Sequence, residues 1–65
     1  MPKYPDIEVE LLGENGNAMV MVSKTRRALM RGEVPPEEVK EFFEEALSGD
    51  YDKVVRTILN WVTVK

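Results

Sequence analysis

Ala18-Met19-Val20-Met21-Val22-Ser23-Lys24-Thr25-Arg26-Arg27-Ala28-Leu29-Met30-Arg31 is the stretch whose reading decides the fold. Two structures compete for it. Asn15-Gly16 immediately upstream is a hairpin signal, and Val20-Met21-Val22 would then be a returning strand. Against this, Ala18, Met21, Val22, Thr25, Ala28, Leu29 and Gly32 recur at i, i+3, i+4, i+7, i+10, i+11 and i+14, a period a strand does not explain. Asn17 suits an N-cap and Gly32 a terminator. The spacing therefore predicts a helix that feeds one side into a core.

Upstream, Met1 to Asp6 carries two prolines and no periodicity, which reads as an irregular arm. Ile7-Glu8-Val9-Glu10-Leu11-Leu12 alternates Ile7, Val9, Leu11 against Glu8, Glu10, the mark of a half-buried strand. Gly13-Glu14-Asn15-Gly16-Asn17 gathers residues that tolerate positive φ, so the chain turns there. Downstream, Val34-Pro35-Pro36-Glu37-Glu38 opens a second helix, with proline in the first turn and carboxylates where the helix dipole favours them. Its apolar stripe is Val39, Phe42, Phe43, Ala46 and Leu47, and Gly49 ends it. Asp50 caps a third helix with an inward face of Tyr51, Val54, Val55, Ile58 and Leu59. Trp61-Val62-Thr63-Val64 turns to β-branched and aromatic types, as in a last short strand.

A lone strand cannot satisfy its backbone N–H and C=O groups, so the two terminal segments are expected to pair. The predicted fold is α+β, a β-α-α-α-β domain over residues 1–65 in which three helices pack on a two-stranded antiparallel ribbon. Its open edges favour self-association.

Sixty-five residues make one small core, which supplies only about 3–5 kcal/mol of net stability. With no cysteine and no histidine, disulfides are excluded and a structural zinc site has no nitrogen or sulfur ligands. Apolar residues at 43% and charged residues at 32% suit a folded, soluble chain. No run approaches the about 20 apolar residues of a membrane span, and the first six residues lack the features of a secretory signal. A cytoplasmic protein without cofactor or membrane contact is expected. The net charge of −3 opposes general attraction to polyanions, so the distribution of charge matters more than its sum.

Gly13-Glu14-Asn15-Gly16-Asn17-Ala18, the Arg26-Arg27-Ala28-Leu29 segment and Ser48-Gly49-Asp50-Tyr51-Asp52 followed by Trp61-Val62 resemble a group of short uncharacterised bacterial proteins. The likeness runs over nearly the whole chain. It implies one compact unit of bacterial origin and transfers no activity.

Without histidine or cysteine, Ser-His-Asp and Cys-His catalysis are impossible within one chain. Glu41, Glu44 and Glu45 lie close together on the second helix, but such glutamates read as a solvated face. Val22-Ser23-Lys24-Thr25 lacks the preceding glycine of a phosphate-binding loop and lies inside the helix. The helix start after Gly13 to Asn17 offers N–H groups to an anion, with the asparagine cap as their competitor. A helix-turn-helix reading of the second and third helices meets Asp50 and Asp52, which would face phosphates. The chain is expected not to be an enzyme.

The first helix carries the most informative surface. Lys24, Arg27 and Arg31 at i, i+3 and i+7 make a basic stripe, and Arg26 adds charge on another side. These four residues are the candidate nucleic-acid contact, with pairing to the acidic second helix as the structural explanation. Met19, Ser23, Arg26 and Met30 at i, i+4, i+7 and i+11 form a second outward stripe of the composition enriched at protein interfaces. The leading expectation is a small protein-interaction or regulatory module that forms a homodimer through this helix. A nucleic-acid-binding accessory protein is the alternative, and an anion binder at Gly13 to Asn17 the third.

Overall fold

The computed structural model describes residues 1–11 and 17–65. Five elements follow one another: β1 (Tyr4–Val9), α1 (Ala18–Arg31), α2 (Pro36–Ala46), α3 (Tyr51–Trp61) and β2 (Val62–Val64). The decisive stretch is helical. Asn17 is extended at the entrance and its side chain accepts a hydrogen bond from Val20 N at 3.2 Å, while Met21, Val22, Thr25 and Leu29 are buried. The Thr25 hydroxyl, fully enclosed, donates to the Met21 carbonyl at 2.9 Å, so this polar group enters the core satisfied. Of the turn from Gly13 to Asn17, all but Asn17 lies outside the described residues.

The way α1 stops differs from the simple glycine terminator. Gly32 has φ −81°, and the following residue, Glu33, takes the left-handed conformation at φ 64°. Gly32 N donates to Ala28 O at 3.0 Å, Glu33 N to Met30 O at 3.0 Å and Val34 N to Leu29 O at 3.1 Å, which satisfies the last carbonyls. Space at 32 is tight: a Cβ there would fall 2.7 Å from Ile7 Cδ1, the end of a flexible side chain that would have to shift.

Helix α2 opens on Pro36 with Glu37 and Glu38 in its first turn, and α3 on Asp50, whose carboxylate accepts from Lys53 N at 3.1 Å. Phe42, Leu29, Ile58, Val22 and Val62 are fully enclosed at the centre. Trp61 lies against them, with Phe42 edge-on at 5.7 Å and Tyr4 stacked on it at 6.0 Å. Three residues assigned inward by their spacing stand out instead: Leu47 is 40% exposed, Tyr51 44% and Leu59 51%. The small core is filled by Val54, Thr57, Ile58 and Trp61 on α3, and these outer positions lie beyond its edge.

The expected antiparallel ribbon is overturned, because β1 and β2 run parallel. Antiparallel neighbours suit a hairpin, whereas here all three helices separate the strands and form the long crossover that parallel pairing requires. Val62, the C-cap of α3, is already the first residue of β2, so the last helix delivers the chain into the sheet without a reversing turn. The strand limits also move. Tyr4 to Asp6, expected as irregular arm, belong to β1, while Trp61, expected in the last strand, ends α3. Tyr4 pairs with Val62 but Glu8 already with Thr63, so the segment between them bulges. Pro5, which has no N–H to donate, sits in that bulge, and its carbonyl accepts from the Thr63 hydroxyl at 2.8 Å.

Candidate functional site

The spacing of α1 places Arg26 and Met30 four residues apart on one outer face, and the short connection through Val34 lays α2 beside that face. Between the two helices runs a groove of about 530 Å³. Arg26 and Met30 form one wall, Val34 and Pro36 one end, and Val39, Lys40 and Phe43 the other wall. Met30 is 56% exposed, and the Arg26 guanidinium lies over the Phe43 ring at 5.9 Å from its centroid. Adjacent phenylalanines thus divide their work, Phe42 filling the core and Phe43 flooring the groove. Lys40 is the one cation on α2, which carries five glutamates, yet among the described residues no carboxylate lines the groove. An apolar channel with a positive rim results on an acidic protein.

Of the second outward stripe, Arg26 and Met30 join the groove, whereas Met19 and Ser23 are not part of its lining. Met19 remains largely exposed and Ser23 half-buried, in the half of α1 nearer its start. Val34, Pro36, Val39, Lys40 and Phe43 were not singled out from sequence as site residues. The signal available was the isolated Lys40 and the second of two consecutive phenylalanines.

The basic stripe is divided. Lys24, Arg27 and Arg31 share a shallower cleft of about 200 Å³ with Ala28 and with Glu8, Val9 and Glu10 of the β1 side, while Arg26 faces the α2 groove. Among the described residues, Arg26, Arg27 and Arg31 form no ion pair with a glutamate of α2. Glu38 is engaged elsewhere, at 3.3 Å from Lys3 Nζ and as acceptor for the Tyr4 hydroxyl. Lys3 also lies over the Trp61 ring at 4.4 Å. These contacts fasten the N-terminal segment to α2 and α3. The bond from Tyr4 holds the Glu38 carboxyl below its ordinary range, helped by Lys3 and opposed by desolvation, and the same bond lifts the Tyr4 phenol above its own.

Glu41 and Glu44 are exposed and Glu45 half-buried, and among the described residues no group of acidic side chains is arranged to hold a metal ion. At the start of α1 the Asn17 carboxamide itself occupies Val20 N. Among the described residues, no helix is long and apolar enough to cross a membrane. No family model, curated protein or solved structure matches the chain.

Proposed function

We propose that the protein is a small, non-catalytic interaction module that self-associates through its first helix, with the α1–α2 groove as the contact surface and the cytoplasm as its working environment. The observation that carries this reading is an apolar groove whose lining, among the described residues, bears two cations and no carboxylate, with Met30 projecting at its side. Methionine and arginine beside an aromatic floor are the residue types enriched where proteins meet, and a flexible thioether adapts to an incoming surface. The small core and the lack of any disulfide give association a stabilising role as well. A nucleic-acid contact through Lys24, Arg27 and Arg31 has less support, because Glu8 and Glu10 line the same cleft and would repel phosphates.

Sedimentation across micromolar to millimolar concentration tests the proposal. The mass is expected to rise above that of the monomer, and Met30→Asp to hold it at the monomer with an unchanged far-ultraviolet circular dichroism spectrum. A wild-type mass that stays monomeric throughout this range refutes it.

A further inference from the structure

A groove whose charged lining, among the described residues, is Arg26 and Lys40 does not complement itself. If two copies met groove to groove, Arg26 and Lys40 of one would face the same pair on the other, and like charges brought together on desolvated surfaces repel. The occupant must therefore present acidic groups around an apolar centre. This chain displays such a surface at the corner between α2 and α3. Leu47 and Tyr51 are 40% and 44% exposed there, and the neighbouring Glu44, Asp50 and Asp52 are all exposed carboxylates. The cation among them, Lys53, is half-buried with its stem packed against Gly49. The Tyr51 hydroxyl lies 3.6 Å from Met21 Sδ, and the side chain stays partly exposed at the corner.

We infer that the groove of one copy receives the α2–α3 corner of a second copy, Leu47 and Tyr51 entering beside Met30 and Phe43 while Glu44 and Asp52 meet Arg26 and Lys40. This rests on the self-association proposed above and specifies its geometry. Groove and corner share no residue, so the contact is heterologous: each copy in a pair keeps one unused groove and one unused corner. Assembly then continues past the dimer to a ring or a filament.

Charge reversal tests this. The groove variant is Arg26→Glu with Lys40→Glu, and the corner variant is Glu44→Lys with Asp52→Lys, all at exposed positions. Wild-type protein should show species larger than a dimer at high concentration. Each variant alone should associate about tenfold or more weakly, and an equimolar mixture should recover assembly, since both kinds of mixed contact are complementary in charge. Circular dichroism on each variant confirms that it is folded. If the groove variant is monomeric but the corner variant assembles as wild type does, the corner is not the occupant, and this inference fails while self-association through the groove stands. Two monomeric variants whose mixture stays monomeric also overturn it. A wild-type chain that never associates removes the underlying proposal.

Discussion

The end of α1 offers a sharp test, because two neighbouring residues there set backbone conformation and side-chain space against each other in different ways. Glu33 holds a left-handed backbone at φ 64°, which costs an L-residue about 1–2 kcal/mol. Glu33→Gly removes that strain but adds freedom to the unfolded chain worth about 0.5–1 kcal/mol, leaving a net gain of up to about 1.5 kcal/mol. Gly32 sits at φ −81°, where alanine is conformationally welcome and would by itself add about 0.4–1 kcal/mol. Its Cβ, however, would lie 2.7 Å from Ile7 Cδ1 and 3.1 Å from Cγ1, so the gain is kept only as far as the flexible end of the Ile7 side chain moves aside. Urea unfolding followed through the single, buried Trp61 reads both. With a slope of about 1 kcal/mol/M, Glu33→Gly should raise the midpoint by up to about 1.5 M, and Gly32→Ala should fall short of the gain of about 0.4–1 M that its backbone conformation alone would give. In an Ile7→Val background, which removes Cδ1, the penalty of Gly32→Ala should shrink. A midpoint lowered by Glu33→Gly, or a Gly32→Ala effect that Ile7→Val leaves unchanged, would refute this account of the helix end.

Two further outcomes are expected. Thr57, 1% exposed, has a hydroxyl without a hydrogen-bond partner among the described residues, so Thr57→Val should stabilise the fold by about 1 kcal/mol. Thr25→Val, which removes a made bond, should not stabilise it, and equal responses at the two sites in urea unfolding would contradict this. The second outcome concerns pH. Glu38 is depressed below its ordinary 4.5, so its contribution is present above that pH and is lost as pH falls through the lowered value; Tyr4 is raised above 10.0, so its contribution is present below that pH and is lost as pH rises through the raised value. Thermal melts of Tyr4→Phe across pH should show both arms flattened, with the acid arm retaining the part due to Lys3 and the alkaline arm the part due to Lys65, itself raised by Glu8. Unchanged arms would show that the Tyr4–Glu38 bond does not form in solution.

The three helices were legible because each carries its own punctuation: Asn17 and Asp50 as caps, Pro36 in a first turn, and apolar residues at a period that only a helix buries on one side. The strands were legible only in phase. Val9 is buried with Ile7 and Leu11 beside it and Glu8 and Glu10 outside, as their alternation requires. That alternation repeats every two residues and is the same for either strand direction, so it contains no information about parallel or antiparallel pairing. Direction came from the crossover through three helices. The start of β1 was hidden for a related reason: Tyr4 is a strand residue because Val62 pairs with it and Trp61 stacks on it, partners nearly sixty positions away that no local window contains.

The candidate site was half legible on the same grounds, and the helical period explains which half. At about 100° per residue, Lys24, Arg27 and Arg31 fall on one face of α1, and Met19, Ser23, Arg26 and Met30 on another. Summing four cations into one patch therefore joins groups that the helix keeps apart. The first face has an answer inside the molecule, since Glu8 and Glu10 share its cleft. On the second, Met19, Arg26 and Met30 are exposed and Ser23 half-buried, but the wall opposite depends on how closely α2 approaches, which only the packing of Val34, Val39 and Phe42 into the core determines. Once α2 is in place it contributes Lys40 and Phe43, and among the described residues no carboxylate joins these cations in the lining of the groove. A negative complement from outside the chain's own fold is what that asymmetry requires, and it is why the charge on one face of one helix says more about the partner than the net charge of the protein does.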